Sequence, residues 1–288
     1  MQNVKKEFSN LETLISIALK EDEVLNDITT KFFLGDSPNA KAVLIAKADG
    51  ILCGVDIFKK VFESVDPSCK IVSNFSDGQD IKTGDKILYI SAKDSTILSA
   101  ERTALNFIQH LSGIATITNS FVKALKNSKA KIFDTRKTIP AYRELAKYAV
   151  VCGGGKNHRM NLAEMAIIKD NHLSLIKDLP KQVKLFRQEY PGICVEVECE
   201  KFAQVQQAID ARADLIMLDN MGLADTRQAI DLIRKNSTKD YHPEIELSGG
   251  IKKDGLDKIK DLDVDRISIG VLTHSPLALD MSLEITIS

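Results

Sequence analysis

The chain has 288 residues and a net charge of -1, with 44% hydrophobic and 27% charged residues. This length accommodates two domains, or one large barrel with an appended domain. The near-neutral charge argues against a protein that coats nucleic acid through its overall field, and no apolar run approaches the length of a membrane span. The five cysteines include no CxxC pair, so we expect free thiols in the cytoplasm. The N-terminal segment "MQNVKKEFSN" lacks the apolar core of a signal peptide.

The first hundred residues predict an α+β domain with an antiparallel or mixed sheet. Apolar residues at helical spacing predict helices in "LETLISIALKED" and "DIFKKVFESVD". "KAVLIAKADGILCG" predicts two strands around a turn, and "CKIVSNFSDGQDIKTGDKILYISA" predicts a strand, a turn and a strand. The long apolar stretch that begins at Ser95 predicts a helix that is broken near Gly113.

Beyond about residue 128 the sequence alternates between short strands and amphipathic helices. This rhythm predicts parallel strands joined by right-handed crossovers. A further short strand is expected at "YAVVC", which would bring the count to about seven. The predicted strands are "KIFDT", "AIIKDN", "CVEVEC", "LIMLDN", "EIELSGG" and "RISIGV".

Polar residues follow nearly every one of these strands. They are Asp134 to Lys137, Lys169 to His172, Glu198, Asp219 and Asn220, Ser248 to Gly250, and Gly270 followed by Thr273 and His274. In a parallel α/β barrel the carboxyl ends of the strands carry the active site. A doubly wound open sheet would use the strand ends at its switch point only, so the pattern favours the barrel.

The segment from Asp134 to Arg159 concentrates positive charge around three consecutive glycines. Its only acids are Asp134 and Glu144. Each cation by itself could be solvated or structurally paired, but a cluster of like charges on one face indicates an anion between them. The candidate anion-binding cations are Arg136, Lys137, His158, Arg159 and Lys169.

Two further features indicate phosphate chemistry. Glu198 and Asp219 end consecutive strands and could hold Mg²⁺ against phosphate groups, or could pair with Lys169 and the arginines. Ser248, Gly249, Gly250 and Gly270 could form a phosphate-binding turn where barrels often place one, although two glycines alone usually mark only a turn. The combination suits a sugar phosphate that bears a pyrophosphate and reacts with a polyanionic partner.

The segment "DTRKTIPAYRELAKYAVVCGGGKNHRMNLAEMAIIKDNH" resembles the signature of the quinolinate phosphoribosyltransferase family. "ERTALNFIQHLSGIAT", "VEVE", "LIMLDN", "LSGGI" and "ISIGVLTHS" resemble other blocks of the family in the same order. The resemblance implies an N-terminal α/β sandwich domain (residues 1–115, with 275–288 packing back on it) and a seven-stranded open α/β barrel (116–274). It also implies conversion of quinolinate and phosphoribosyl pyrophosphate to nicotinate mononucleotide, CO₂ and pyrophosphate with Mg²⁺, in de novo NAD synthesis.

The resemblance assigns roles residue by residue. Lys137, Lys169, Glu198 and Asp219 would be catalytic, and Glu198 and Asp219 would lie at the Mg²⁺ site. The quinolinate carboxylates and the pyrophosphate would be bound by Arg102, Arg136, Lys137, His158, Arg159 and Lys169. The 5′-phosphate would be held by Ser248, Gly249, Gly250, Gly270 and His274. A homodimer, or a hexamer built from dimers, would share each active site, with Arg102 acting on the partner's barrel.

The chain departs from the family pattern at Ile139, Ala141 and Asn161, and no glycine precedes its "DIT" motif. None of these changes removes a charged candidate residue. Three rival interpretations remain: a paralogue associated with molybdenum transport, a Schiff-base lyase that uses Lys169, and an inert ligand-binding barrel.

Overall fold

The computed structural model describes residues 8–34, 38–126 and 128–286. The chain forms two compact units. The first comprises Met1–Asn119, Thr138–Gly154 and Leu272–Ser288, and the second comprises Ser120–Lys137 and Gly155–Val271. Within the described residues, none of the helices combines the length and the apolar character that crossing a membrane requires.

The first unit contains a four-stranded antiparallel sheet in the order β12-β1-β5-β3, and β2 pairs separately with β4. Its strands are β1 (Asn39–Ala46), β2 (Gly50–Ile51), β3 (Lys70–Ser73), β4 (Asp80–Ile81), β5 (Lys86–Lys93) and β12 (Met281–Thr286). Its helices are α1 (Leu11–Glu21), α2 (Ile28–Phe33), α3 (Val55–Val65), α4 (Asp94–Ala124, which extends into the second unit), α5 (Arg143–Cys152) and α10 (Val271–His274).

The predicted elements of the first hundred residues are confirmed. In α3, Ile57, Phe58, Val61 and Phe62 are buried at the i, i+1, i+4, i+5 spacing of one helical face. Strand β5 alternates exposed and buried residues over most of its length, as a sheet with one covered face requires. The two strands expected around the turn at Ala48 form, but they pair with different neighbours.

Helix α4 corrects the expectation of a break near Gly113, because the helix is continuous through that residue. A Cβ atom at Gly113 would lie 2.1 Å from the carbonyl oxygen of Leu277. The glycine therefore permits close packing of backbone on backbone. The sequence signal that suggested a helix break instead marks a contact that no larger residue allows.

The second unit contains a six-stranded parallel sheet in the order β6-β11-β10-β9-β8-β7. Its strands are β6 (Lys131–Phe133), β7 (Ala166–Ile168), β8 (Val195–Cys199), β9 (Leu215–Asp219), β10 (Glu244–Ser248) and β11 (Arg266–Ser268). Its helices are α6 (Asp170–Leu175), α7 (Leu179–Glu189), α8 (Phe202–Asp210) and α9 (Leu223–Lys235), and a 3₁₀ helix spans Lys253–Lys258.

This strand order is that of an open α/β barrel. Strands β7 to β11 follow one another in sequence order, and β6 returns to pair with β11. On its other side β6 makes a single parallel bridge, from Phe133 to Lys156. All six strands named for this sheet are confirmed, and in the part of the chain that the structure describes the sheet has six strands where seven were expected.

The segment "YAVVC" is the one predicted strand that is wrong. It forms the end of helix α5, in which Leu145, Ala146, Ala149 and Val150 are buried at helical spacing. The β-branched residues Val150 and Val151 suggested a strand, but burial of one helical face outweighs their modest helix propensity.

Candidate active site

The carboxyl ends of the parallel strands bring most of the candidate residues to one edge of the sheet. Asp219 at the end of β9 is directly paired in register with Ser248 at the end of β10. Parallel strands end at the same edge, so the residues that follow them converge. The candidates placed at this edge are Arg136 and Lys137 after β6, Lys169 after β7, Glu198 in β8, Asp219 in β9, Ser248, Gly249 and Gly250 at β10, and Gly270 after β11.

His158 and Arg159 reach the same edge through a segment that pairs with β6. The Lys156 amide donates to the Ile132 carbonyl oxygen (2.8 Å), and the Asp134 amide donates to the Lys156 carbonyl oxygen (3.1 Å). The buried Asp134 carboxylate then accepts the backbone amide of His158 at 2.9 Å. These bonds hold the two cationic candidates beside the loop that follows β6.

Arg136 and Arg159 lie close enough for their charges to interact. Burial lowers the pKa of Arg159, and the positive charge of Arg136 lowers it further. The Nε atoms of both arginines are buried without a hydrogen-bond partner among the described residues, whereas Arg159 Nη1 donates to the Met165 carbonyl oxygen at 2.7 Å. Two neighbouring guanidinium groups with unused donors form a site for an anion, because an anion would satisfy the donors and screen the repulsion.

His158 bridges two carboxylates inside the sheet. Its Nε2 lies 3.2 Å from Glu196 Oε2 and 3.4 Å from Glu246 Oε1, and both glutamates are fully buried. The Ser268 hydroxyl donates to Glu246. On the other side of the ring, Nδ1 accepts the backbone amide of Arg159 at 2.7 Å. The imidazole thus connects a buried acidic pair to the backbone of a candidate substrate-binding arginine.

These contacts determine where the ring of His158 carries a proton. Burial would lower the pKa of His158, but the nearby carboxylates of Glu196 and Glu246 outweigh burial and raise the pKa to about 9. The amide of Arg159 opposes full protonation, because it donates to Nδ1, which must then lack a proton. With Nδ1 as acceptor, the neutral ring carries its proton on Nε2, the nitrogen that lies nearer to the carboxylates. Burial in turn raises the pKa of Glu196.

Lys169 and Glu198 form an ion pair across the ends of β7 and β8. The Glu198 side chain is mostly buried, and that of Lys169 is about half exposed. The pairing that the sequence left open as one of two interpretations is therefore present. Carboxylates offer about four lone-pair positions, so Glu198 can accept this bond and still ligate a cation.

Asp219 and the glycines after β10 form a second cluster at this edge. Asp219 Oδ2 accepts the Asn220 side-chain amide at 2.8 Å. Gly249 and Gly250 both have positive φ angles, 96° and 54°, a conformation that glycine adopts without steric cost. The oxygen ligands of Glu198 and Asp219 are the type that Mg²⁺ prefers, so the residues present fit such an ion.

Two candidates belong to the first unit, and their predicted contacts with substrate stay predictions. Arg102 is exposed on α4, and His274 ends α10 with Nδ1 2.6 Å from the Ser275 hydroxyl oxygen. Lys137 is exposed in the second unit, where its backbone amide donates to Thr135 Oγ1 at 3.0 Å.

The described residues also bring Cys53, Asp77 and Cys152 together in the first unit, with donor atoms within 4.8 Å of one another. The Asp77 carboxylate already accepts two backbone amides at the start of α3, at 2.9 and 3.0 Å, and the Tyr148 hydroxyl at 2.7 Å. These bonds give Asp77 a structural role as the cap of that helix.

Sequence reasoning placed Glu196 on the same face as Glu198 and counted Asn220 among the polar strand ends, but it gave neither a role. It did not single out Glu246 or Ser268. A signal for both glutamates exists. By the period of two along a strand, Glu196 shares a face with Glu198, and Glu246 shares a face with Ser248. An acid two residues before a polar strand end, in an otherwise apolar strand, therefore lies on the same face of the sheet as that strand-end residue.

Comparison with known proteins identifies the family of the chain. The family model described as quinolinate phosphoribosyl transferase, C-terminal domain, matches residues 114–284, and the model of the N-terminal domain matches residues 27–112. Together they span most of the chain.

Individual relatives are similar over nearly the whole length. A probable nicotinate-nucleotide pyrophosphorylase [carboxylating] from Methanocaldococcus jannaschii is 39% identical over 280 residues, which cover 94% of this chain and 96% of the relative. Quinolinate phosphoribosyltransferase [decarboxylating] 1 from Nicotiana glauca is 38% identical over 290 residues, which cover 96% of this chain and 82% of the relative. The crystal structure of NadC from Streptococcus pyogenes superposes with a TM-score of 0.89 at 38% identity. The match covers 96% of this chain and 98% of the NadC chain.

Proposed function

The chain belongs to the quinolinate phosphoribosyltransferase family, and from this premise we propose that it transfers the phosphoribosyl group of phosphoribosyl pyrophosphate to quinolinate. The products are nicotinate mononucleotide, CO₂ and pyrophosphate, and the reaction serves de novo NAD biosynthesis. The observation that carries the proposal is the Arg136–Arg159 pair with its unused buried donors, beside the strand-end residues of the parallel sheet. Quinolinate has two adjacent carboxylates that suit two guanidinium groups.

The candidate residues divide the reaction between two substrates. Arg136, Arg159 and Lys169 would hold the carboxylates of quinolinate and direct its ring nitrogen to C1 of the ribose. As pyrophosphate leaves C1, the nitrogen bonds to that carbon and becomes positively charged. The charged ring then stabilises the carbanion that forms when the adjacent carboxylate departs as CO₂, and one proton completes the product. The contribution of the protein is mainly positioning and electrostatic.

Glu198 and Asp219 are the proposed ligands of Mg²⁺. Their support is the chemistry of the donors and their place at the ends of neighbouring strands β8 and β9. When bound, Mg²⁺ would neutralise charge on the pyrophosphate group. Lys169, paired with Glu198, would keep that carboxylate oriented. Lys137 would add positive charge near the departing pyrophosphate.

We also propose that the protein works as a homodimer, or as a hexamer built from dimers, with Arg102 acting on the partner's barrel. Support comes from an apolar surface on and before α2, formed by Leu25, Ile28, Phe32 and Phe33. Ile28 is 80% exposed and Phe32 is 81% exposed. The rings of Phe32 and Phe33 contact each other, and exposed large apolar side chains of this kind are typical of subunit interfaces. The five free cysteines favour work in a reducing compartment, the cytoplasm.

A direct assay tests the function. The protein is mixed with Mg²⁺, phosphoribosyl pyrophosphate and quinolinate carrying ¹³C in the carboxylate next to nitrogen, and the products are followed by mass spectrometry. We expect nicotinate mononucleotide and ¹³CO₂ in equal amounts. Nicotinate, which lacks that carboxylate, serves as the control and should react poorly. The absence of product from quinolinate, or equal rates with the two acids, would refute the assignment.

A further inference from the structure

Asn220 has an unusual backbone conformation at the junction of two candidate sites. It directly follows β9, and its φ angle is 54°, in the left-handed region. Asparagine tolerates this region better than most residues that carry a Cβ atom. Its backbone amide donates to the Ser248 carbonyl oxygen at 3.2 Å, which extends the pairing of β9 and β10 by one bond.

The side chain of Asn220 contacts both sites at once. Its Nδ2 donates to Asp219 Oδ2 at 2.8 Å. At the other end of the same amide, Oδ1 would lie 2.3 Å from a Cβ atom built on Gly249, whose φ angle is 96°. The carboxamide therefore occupies the space beside Gly249 that a side chain at that position would need. One planar group joins the carboxylate at the end of β9 to the turn at the end of β10.

We propose that Asn220 is a positioning residue that fixes Asp219 and the Gly249–Gly250 turn relative to each other, so that both act on the same molecule of phosphoribosyl pyrophosphate. The inference rests on the proposed function and deepens it. Asp219 is the proposed cation ligand, and the turn is the proposed contact of the 5′-phosphate. The hydrogen bond from the Asn220 carboxamide occupies Oδ2 of Asp219 and leaves Oδ1 available to ligate a cation.

A purely structural role does not account for this arrangement. Asn220 is exposed to solvent. Among the described residues, its side chain donates to Asp219 and lies beside Gly249. An exposed side chain outside the core contributes little to stability. Its loss should thus change the geometry of the sheet edge more than the stability of the fold.

Asn220→Gly is the discriminating variant, because glycine keeps the left-handed backbone and removes only the carboxamide. We expect KM for phosphoribosyl pyrophosphate to rise about five- to ten-fold, as for the loss of one net hydrogen bond, with KM for quinolinate within two-fold of wild type. Calorimetric titration of phosphoribosyl pyrophosphate with Mg²⁺, without quinolinate, should show the same weakening. Asn220→Asp keeps the size of the side chain but not the donor, and should weaken binding at least as much.

Arg212→Gly is the matched control. Arg212 also has a φ angle of 54°, but it precedes β9 at the opposite edge, where its guanidinium donates to the Asp240 carbonyl oxygen. We expect this variant to leave both KM values unchanged, because Arg212 is far from the strand ends that carry the candidate residues. Asn220→Gly should raise only KM for phosphoribosyl pyrophosphate and leave the melting temperature close to that of wild type.

The outcomes separate the two proposals. If wild type turns over quinolinate but Asn220→Gly keeps its affinity for phosphoribosyl pyrophosphate, the positioning role is wrong and the function stands. Equal losses for both substrates, together with a lower melting temperature, would also overturn the role, because they indicate general damage. If wild type neither turns over quinolinate nor binds phosphoribosyl pyrophosphate, the proposed function itself fails.

Discussion

Lys169 and Glu198 form an ion pair that joins the carboxyl ends of neighbouring strands β7 and β8. Each partner thereby restricts the geometry of the other, so neither can be removed without freeing a charge at the same edge. In the proposed reaction this pair connects the group that binds quinolinate to the group that ligates the cation.

Replacement of Lys169 by Met keeps most of the aliphatic stem and removes the charge. We expect kcat to fall at least about 100-fold, because a carboxylate loses its charged partner and the substrate loses a cation, and each such contact is worth about 1.5–3 kcal/mol. Steady-state kinetics and the melting temperature are measured together. Lys181→Met, an exposed lysine on α7, is the control and should match wild type. Near-normal turnover of Lys169→Met would remove Lys169 from the proposed mechanism.

Replacement of Arg159 by Ala should raise KM for quinolinate by at least about ten-fold and lower kcat, because half of the guanidinium pair is lost. The Arg159 backbone amide that donates to His158 is unaffected by this change. Arg227→Ala removes an exposed arginine from α9 and should leave the kinetics unchanged. An unchanged KM for quinolinate in Arg159→Ala would show that the pair binds something else.

The shared active site can be tested by complementation. Arg102→Ala and Lys169→Ala should each be inactive, and mixing them after dissociation and reassociation should restore activity. Random pairing makes half of the dimers hybrid, and each hybrid has one intact site of two. Recovery should therefore approach about a quarter of wild type. If subunits exchange and no activity returns, Arg102 does not act on the partner's barrel.

A second variant tests the surface proposed for the dimer. Phe32→Asp places a charge in the apolar surface of Leu25, Ile28, Phe32 and Phe33, and should shift the protein towards monomer in analytical ultracentrifugation. Leu185→Asp changes an exposed leucine on α7 and is the control. A dimer that survives Phe32→Asp unchanged would place the interface elsewhere.

The network of Asp265 and Arg234 should make stability depend on pH. Burial opposes ionisation of Asp265, but the Ile245 amide and Arg234 outweigh burial and lower the pKa of Asp265 below its ordinary value of 3.8. A group whose folded pKa is lowered stabilises the protein above its unfolded pKa, and this contribution is lost as the pH falls through the folded value. Asp265→Asn should destabilise the protein near neutral pH, and the difference from wild type should shrink below about pH 4.

Denaturant unfolding of both proteins across pH 3 to 7 measures the effect. Arg234→Ala should cost about 1–3 kcal/mol of unfolding free energy, since it removes several charge-assisted bonds. Lys260→Ala removes an exposed i,i+3 pair with Asp257 and should have no measurable effect. A difference between Asp265→Asn and wild type that stays constant with pH would contradict the lowered pKa.

The strands of the parallel sheet were predictable because each is a short apolar run that ends in polar residues, and all six formed as expected. Helix α5 was not predictable in the same way, because its two adjacent valines are typical of a strand and only the packing of the whole segment shows a helix. Gly113 suggested a break for a similar reason, because the Leu277 carbonyl that requires a glycine there is far away in the sequence.

The candidate site was predictable to a comparable degree. The residues after the strands converge because parallel topology alone brings them together. The buried His158–Glu196–Glu246 contacts were not expected, since they depend on side chains that face the sheet interior from β8, β10 and the segment beside β6. The alternation of residues along a strand predicts which face of the sheet Glu196 and Glu246 occupy. It does not predict that the His158 imidazole lies close to both.

The pairing of β1 with β12 has a consequence for synthesis of the chain. Strand β1 begins at residue 39, and its neighbour β12 is the last described strand, at Met281–Thr286. A ribosome therefore completes the whole parallel sheet before the first unit can acquire its edge strand. Until then one side of β1 presents unpaired amide and carbonyl groups, which are a template for pairing with another nascent chain. We expect the synthesis of β12, and not emergence of the first hundred residues, to set when this unit becomes resistant to proteolysis.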